Sequence, residues 1–197
     1  MVKIGVLISG GGTNLQAVID NCENKTINGE VKVVISNKAE AYGLERAKNH
    51  NIKAVYEKEE DKIIEILKEN EIDLVVLAGY LKIISPKLVN EYRNRIINIH
   101  PSLIPAFCGK GYYGEKVHQG VIDYGAKVTG ATVHFVDKGA DTGPIIMQKT
   151  VEVKQDDDAK KLGTRVLDVE HEILTKSIAM FCENKLTVQG RRVYIND

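Results

Sequence analysis

The residues best suited to chemistry stand at the end of one apolar run. In RIINIHPSLIPAF, Arg95 to Phe107, the isoleucines Ile96, Ile97 and Ile99 lead into Asn98 and His100 before Pro101 stops the run. Side chains two apart on a strand share a face, so Asn98 and His100 point together while Ile97 and Ile99 point the other way. An amide N–H donates to a carbonyl oxygen that is gaining charge, and a nearby imidazole moves a proton or stabilises that oxygen. The pair therefore suits acyl transfer through a tetrahedral intermediate. Its structural alternative is a satisfied, buried polar pair at a strand end. A third group favours the chemical reading: VDKGADTGPII sets Asp137 and Asp141 in a glycine-punctuated loop between two apolar runs. A carboxylate beside His100 would raise the imidazole pKa and set its orientation. Spacing alone does not bring Asp141 to His100, and loop acids are commonly solvated turn residues.

A second chemical feature is SGGGTN, Ser9 to Asn14, between the first apolar run and a helical pattern. Consecutive glycines allow a sharp turn, and the helix that follows begins with unsatisfied N–H groups and a positive dipole end, which together bind phosphate. There is no Gly-Lys-Ser/Thr, so the stretch is not a P-loop. Leu15 stands where GxGxxG needs its third glycine, and the next run ends VVISN without the acidic residue that holds a nicotinamide ribose. A monophosphate fits better than a dinucleotide. The plainer reading is a tight turn capped by Thr13 or Asn14.

These residues are carried by alternating elements. KIGVLIS, VKVVISN, KAVYE, DLVVLAGY and RIINIH read as strands, and NLQAVIDNCEN, AYGLERAKNH, DKIIEILKEN and SPKLVNEYR as the helices between them. That order predicts βαβ units and a doubly wound, Rossmann-like α/β sheet, open and mostly parallel, with helices on both faces. Ligands bind outside the carboxyl ends of such strands, the rim where the glycine loop, Asn98 and His100 all fall. After Pro101 the pattern changes. A Gly-rich loop, CGKGYYGEK, leads to a helix near His118–Tyr124; TGATVHFVD and PIIMQKTVEV read as strands; a long helix spans Asp158 to Glu183; and LTVQGRRVYIND reads as a hairpin around Gly190. We expect a single domain over 1–197, with a phosphate-binding half (1–100) and a strand-rich half (101–197).

Composition narrows the class. The chain has 197 residues, 43% of them hydrophobic, enough for a substantial core. Lys plus Arg and Asp plus Glu number 27 each, a balance that argues against a general nucleic-acid binder. Cys22, Cys108 and Cys182 form no CxxC pair and read as reduced thiols, so neither a disulfide frame nor a metal site is expected. The N-terminal apolar run is too short for a signal peptide, and nothing approaches the roughly 18 apolar residues of a membrane helix. The expected compartment is the cytoplasm.

The stretches SGGGTNLQA, SNKAEAYGLERA, DLVVLAGYLKIISP, INIHPSLIPAF, VTGATVHFVDKGADTGPII and RVLDVEHEIL occur in that order over nearly the whole chain. Together they resemble the glycinamide ribonucleotide formyltransferases of purine biosynthesis. The resemblance implies the formyltransferase fold. It also implies direct attack by the amine of 5-phosphoribosylglycinamide on the formyl carbon of 10-formyltetrahydrofolate, without a metal. By the same resemblance Asn98 would hold the developing oxyanion, protonated His100 would stabilise it and take part in proton transfer, and Asp141 would keep His100 charged and relay the proton. Gly12, Thr13 and Asn14 match phosphate-binding positions, and Glu170 the acidic position that contacts the glycinamide. Leu81, Lys82, Ile83 and Ile84 match the lining of the folate pocket. Val136, Asp137, Lys138, Gly139, Ala140 and Asp141 match the loop around the pterin, and Asn98 faces the same ligand. The partners implied are the two small molecules, with no nucleic acid and no membrane, and a monomer or homodimer.

The chain departs from the family pattern in places. Lys82 stands where members often carry Arg, AVYEKEEDK is short where many have a longer Arg-containing segment, and Cys108 occupies a common proline position. Cys108 is given no chemistry. His118 is open to lining the site but is more often structural at a helix start, His134 on TVHFV is open to supporting the catalytic residues from behind but is kept outside the catalytic set, and His50 is read as a surface residue. The competing functions are a 10-formyltetrahydrofolate hydrolase, whose extra N-terminal regulatory domain has no counterpart before the first strand, and a non-catalytic folate- or nucleotide-binding module. A methionyl-tRNA formyltransferase would need a C-terminal tRNA-binding domain and a basic surface.

Overall fold

The computed structural model describes residues 1–196; Asp197, the last residue of the stretch read as a terminal hairpin, lies outside them. The first half alternates as expected: β1 (Val2–Ile8), α1 (Thr13–Glu23), β2 (Gly29–Ser36), α2 (Tyr42–Asn49), β3 (Lys53–Tyr56), α3 (Glu60–Glu69), β4 (Leu74–Leu77), α4 (Pro86–Glu91) and β5 (Ile96–His100). The second half adds α5 (Glu115–Tyr124), β6 (Val128–Phe135), β7 (Ile145–Glu152), α6 (Ala159–Cys182), β8 (Leu186–Gln189) and β9 (Arg192–Ile195). Among the described residues the strands form one nine-stranded sheet in the order β3-β2-β1-β4-β5-β6-β7-β9-β8. The pairs among β1 to β5 are parallel, whereas β6 runs antiparallel to both β5 and β7. The winding reverses between β1 and β4, so the glycine loop after β1 and the Gly79–Ile84 segment after β4 leave the sheet side by side, at the crevice where α/β folds bind ligands.

Both faces of the sheet are buried, which is why β4 is apolar at every position. Ile97 and Ile99 enter the core beneath α1 and α6, while Ile96 enters the other, beneath α3 and α4. Asn98 and His100 thus share a face, as the alternation requires. Phe135 is 2% exposed and meets the α6 ring of Phe181 edge to face at 6.5 Å. Helix α6 is started by Asp158, whose carboxylate accepts from the Lys161 N–H at 2.7 Å, a cap that an acidic residue before an apolar run predicts. Helix α5 begins at Glu115, three residues before its expected start near His118. Gly114, at φ +53, ends the glycine-rich loop there and frees the following residues to wind.

Candidate active site at the sheet's carboxyl rim

Asn98 pairs directly with His134 across the β5–β6 ladder, and His100 with Thr132. The His134 ring is tied to its own strand: Nδ1 donates to the Phe135 carbonyl at 2.8 Å, leaving Nε2 to accept from Asn98 Nδ2 at 3.1 Å. One N–H of the Asn98 amide is thereby anchored and the other is left over. On His100, Nε2 donates to the Phe107 carbonyl at 3.0 Å. Its Nδ1 faces Asp141 Oδ2 at 3.6 Å, close enough for ionic attraction but beyond a hydrogen bond. Below this ring the PSLIP segment is pinned by Thr132, whose hydroxyl donates to the Ser102 carbonyl at 2.6 Å and accepts the Ile104 N–H at 3.1 Å.

Asp141 is reached by its loop curling back over β5. Asp137 anchors that loop with one carboxylate oxygen, accepting from the Gly139 N–H at 3.0 Å and the Thr142 hydroxyl at 2.5 Å. Gly143 passes so close to β6 that a Cβ there would sit 1.7 Å from the Phe135 carbonyl oxygen, so no other residue fits without moving the backbone. Asp141 then accepts the Gly109 N–H at 2.8 Å, joining its loop to the glycine-rich loop before α5. Burial alone would raise the Asp141 carboxyl; the His134 and His100 rings and the Gly109 amide outweigh it and hold the pKa below the ordinary value. His100 corrects the expectation from sequence. Asp141 does pull its pKa upward, but burial pushes harder, and the net shift is downward. In the free protein His100 therefore favours the neutral form.

On the other side of the cleft, Asn14 at the start of α1 meets Glu170 in the middle of α6, with Nδ2 donating to Oε2 at 2.8 Å. Both are under 9% exposed, and the Oδ1 of Asn14 has no hydrogen-bond partner. Burial pushes the Glu170 carboxyl up to about 7, against the smaller opposing effect of the Asn14 hydrogen bond. One buried acceptor, Asn14 Oδ1, is thus left without a donor beside the Glu170 carboxyl, an arrangement that costs stability until a donor arrives.

A cleft of about 430 Å³ joins the two sides. It is lined by Asn14 and Glu170, by Asn98, His100 and Asp141, by Leu81 to Ile84, and by Val136, Asp137, Gly139 and Ala140. Lys138 is exposed and does not line it, nor do Gly12 and Thr13, which precede Asn14 on the loop. The segment after β4 is hung from the glycine loop by the Leu81 N–H, which donates to the Ser9 hydroxyl at 2.9 Å. Lys82 turns outward and donates to the Lys58 carbonyl at 2.7 Å. Two residues that the sequence leaves open do line the cleft, His134, which holds Asn98, and His118, which is also buried against Gly163; the Gly109–Gly114 loop with Tyr112 and Tyr113 is a contributor that the sequence does not assign. Strand register identifies the first, but that register becomes readable only once β5 and β6 are paired. Among the described residues no group of three or more His, Cys, Asp or Glu is arranged to hold a metal ion, and no helix is long and apolar enough to cross a membrane.

The chain carries an Asn–His–Asp cluster on the rim of a doubly wound sheet, and its residues 2–178 match the family model described as "Formyl transferase". The chain belongs to that family. It is 39% identical over 205 residues to the phosphoribosylglycinamide formyltransferase of Haemophilus influenzae, covering 100% of this chain and 94% of the relative. It is 40% identical to the chloroplastic phosphoribosylglycinamide formyltransferase of Vigna unguiculata over 93% of this chain, which spans only 62% of that relative's length. The crystal structure of glycinamide ribonucleotide transformylase 1 from Symbiobacterium toebii superposes with a TM-score of 0.94 at 44% identity, covering 100% of this chain and 95% of that one.

Proposed function

We propose that the chain transfers the formyl group of 10-formyltetrahydrofolate to the amine of 5-phosphoribosylglycinamide, a step of purine biosynthesis. The observation that carries this reading beyond the family is the Asn14–Glu170 pair. It offers two buried acceptors, one of them orphaned, at the cleft wall opposite Asn98 and His100. An amine supplies the missing donors.

The proposed chemistry follows from the atoms. The amine lone pair attacks the formyl carbon, a C–N bond forms, and the carbonyl oxygen takes the negative charge. The Asn98 N–H left free by His134 donates to that oxygen. His100 takes the proton that the attacking nitrogen sheds as the charge develops and passes it to the leaving folate nitrogen, because the oxyanion adds to the pull of Asp141 and offsets the cost of burial. The C–N bond to the folate then breaks, its nitrogen takes a proton, and the former amine gives one up. Asp141, held below the ordinary carboxylate range, stays ionised to support the imidazolium through this exchange. Leu81 to Ile84 and the 136–141 loop are the proposed folate-binding segments, with Lys82 toward the solvent end.

The phosphate belongs at Gly12, Thr13 and Asn14, where α1 begins with unsatisfied N–H groups. Thr13 is exposed, and replacing it with Asp introduces a carboxylate without disturbing the core. Thr13→Asp is expected to weaken 5-phosphoribosylglycinamide about tenfold or more and to leave the folate within about twofold, as separate titrations of each ligand would read. Equal losses for both would remove the phosphate from this loop.

A further inference from the structure

The glycine loop does not shape itself. Each of its three glycine carbonyls is taken by a donor from a helix. Gly10 O accepts the Gly43 N–H of α2 at 3.0 Å, and Gly12 O accepts the Gln16 N–H of α1 at 2.9 Å. Between them, Gly11 O accepts Arg46 Nε of α2 at 2.8 Å. In a trans peptide the C=O of one residue and the N–H of the next point in opposite directions. Fixing Gly10 and Gly11 by their carbonyls therefore turns the N–H groups of Gly11 and Gly12 away from α2, while the Gly12 carbonyl, held within α1, leaves the Thr13 N–H free at the start of that helix.

Two of these three anchors are main chain; the middle one rests on a single side chain. Arg46 is itself held firmly. Its Nη1 donates to Gln16 Oε1 at 3.1 Å, and its guanidinium lies 5.1 Å from the centre of the Tyr42 ring. Gly12, at φ +72, leaves no room for slack: a Cβ there would meet Gly43 Cα at 2.8 Å and Arg46 Cδ at 3.4 Å. Arg46 thus touches the back of the loop, and none of the bonds it makes requires a ligand.

We infer that Arg46 is a positioning residue for the phosphate of the substrate, acting through the Gly11–Gly12 peptide, whose N–H it aims. This rests on the proposed reading of the loop as the phosphate site. Arg46→Met keeps the aliphatic stem against Gly12 and Tyr42 but removes every donor, so the peptide is free to flip. Its KM for 5-phosphoribosylglycinamide should rise about tenfold or more, the loss of one good hydrogen bond to a charged group, while kcat at saturation and the folate KM stay within about twofold. Arg46→Lys, which still reaches one carbonyl but lacks the fork, should recover most of the loss. With the dephosphorylated ribosylglycinamide, wild type and Arg46→Met should be alike. An unchanged KM, an equal loss with the phosphorylated and dephosphorylated acceptors, or a comparable rise in the folate KM would overturn the inference. If the wild type turns over neither substrate, the functional reading fails, and the clamp is read instead from protection against thermal unfolding by inorganic phosphate. Protection of wild type but not of Arg46→Met supports it, and equal protection overturns it.

Discussion

Asp141→Asn is expected to lower kcat by about 10²- to 10⁴-fold, the usual contribution of a positioned proton-transfer system, while the fold is retained. The amide oxygen of Asn can still accept the Gly109 N–H that joins the two loops, so the cleft keeps its shape. What disappears is the negative charge 3.6 Å from His100 Nδ1. That charge is the largest influence raising the His100 pKa against burial. Without it the imidazole holds its proton only at lower pH, and the pH profile of the residual activity should shift toward acid. A wild-type rate, or a large loss with an unshifted profile, would remove Asp141 from the proton relay and leave it a loop anchor.

Glu170→Gln is expected to move stability and activity in opposite directions. The carboxyl has a folded-state pKa of about 7 against an ordinary value of 4.5. Between those values the folded state keeps a proton that the unfolded chain has released, so stability falls as pH rises through that window. Above it the full penalty applies, about 3 kcal/mol for a shift of this size in a buried group. Gln cannot ionise and still accepts from Asn14. The variant should therefore gain up to that amount at pH 8 and nothing at pH 4, as unfolding measured at the two pH values would report. Binding should worsen: the KM for 5-phosphoribosylglycinamide should rise about tenfold to a hundredfold at pH 8, where an ionised acceptor is lost, and much less below pH 6. A variant no more stable than wild type at pH 8 would mean that Glu170 is not penalised by burial. An unchanged KM would mean that the amine does not meet it.

Much of this was legible before the fold. The order of strands and helices through His100 follows from period-2 and helical patterns separated by turn residues, and the structure keeps it to within a residue or two at most boundaries. The shared face of Asn98 and His100 follows from alternation alone, and the helix from Asp158 from a capping residue before an apolar run. Other features depend on pairings that no local pattern records. Asn98 and His134 are 36 residues apart and meet only because β6 turns back antiparallel on β5. Asn14 and Glu170 are 156 residues apart and are joined by the packing of α1 against α6. The upward pull of Asp141 on His100 is legible in the sequence but the net downward shift is not, because a neighbouring carboxylate can be guessed from sequence whereas depth of burial cannot. Nothing in the local pattern marks Arg46; its contact with Gly11 depends on α2 packing its first turns against the glycine loop.

The most direct test of the account is formyl release from 10-formyltetrahydrofolate, followed with and without 5-phosphoribosylglycinamide. The account predicts release only when the amine is present, with one formylated glycinamide formed for each tetrahydrofolate. Equal release without the amine would contradict it and make water the acceptor; no release in either case would leave a folate- or nucleotide-binding protein with an idle Asn98, His100 and Asp141.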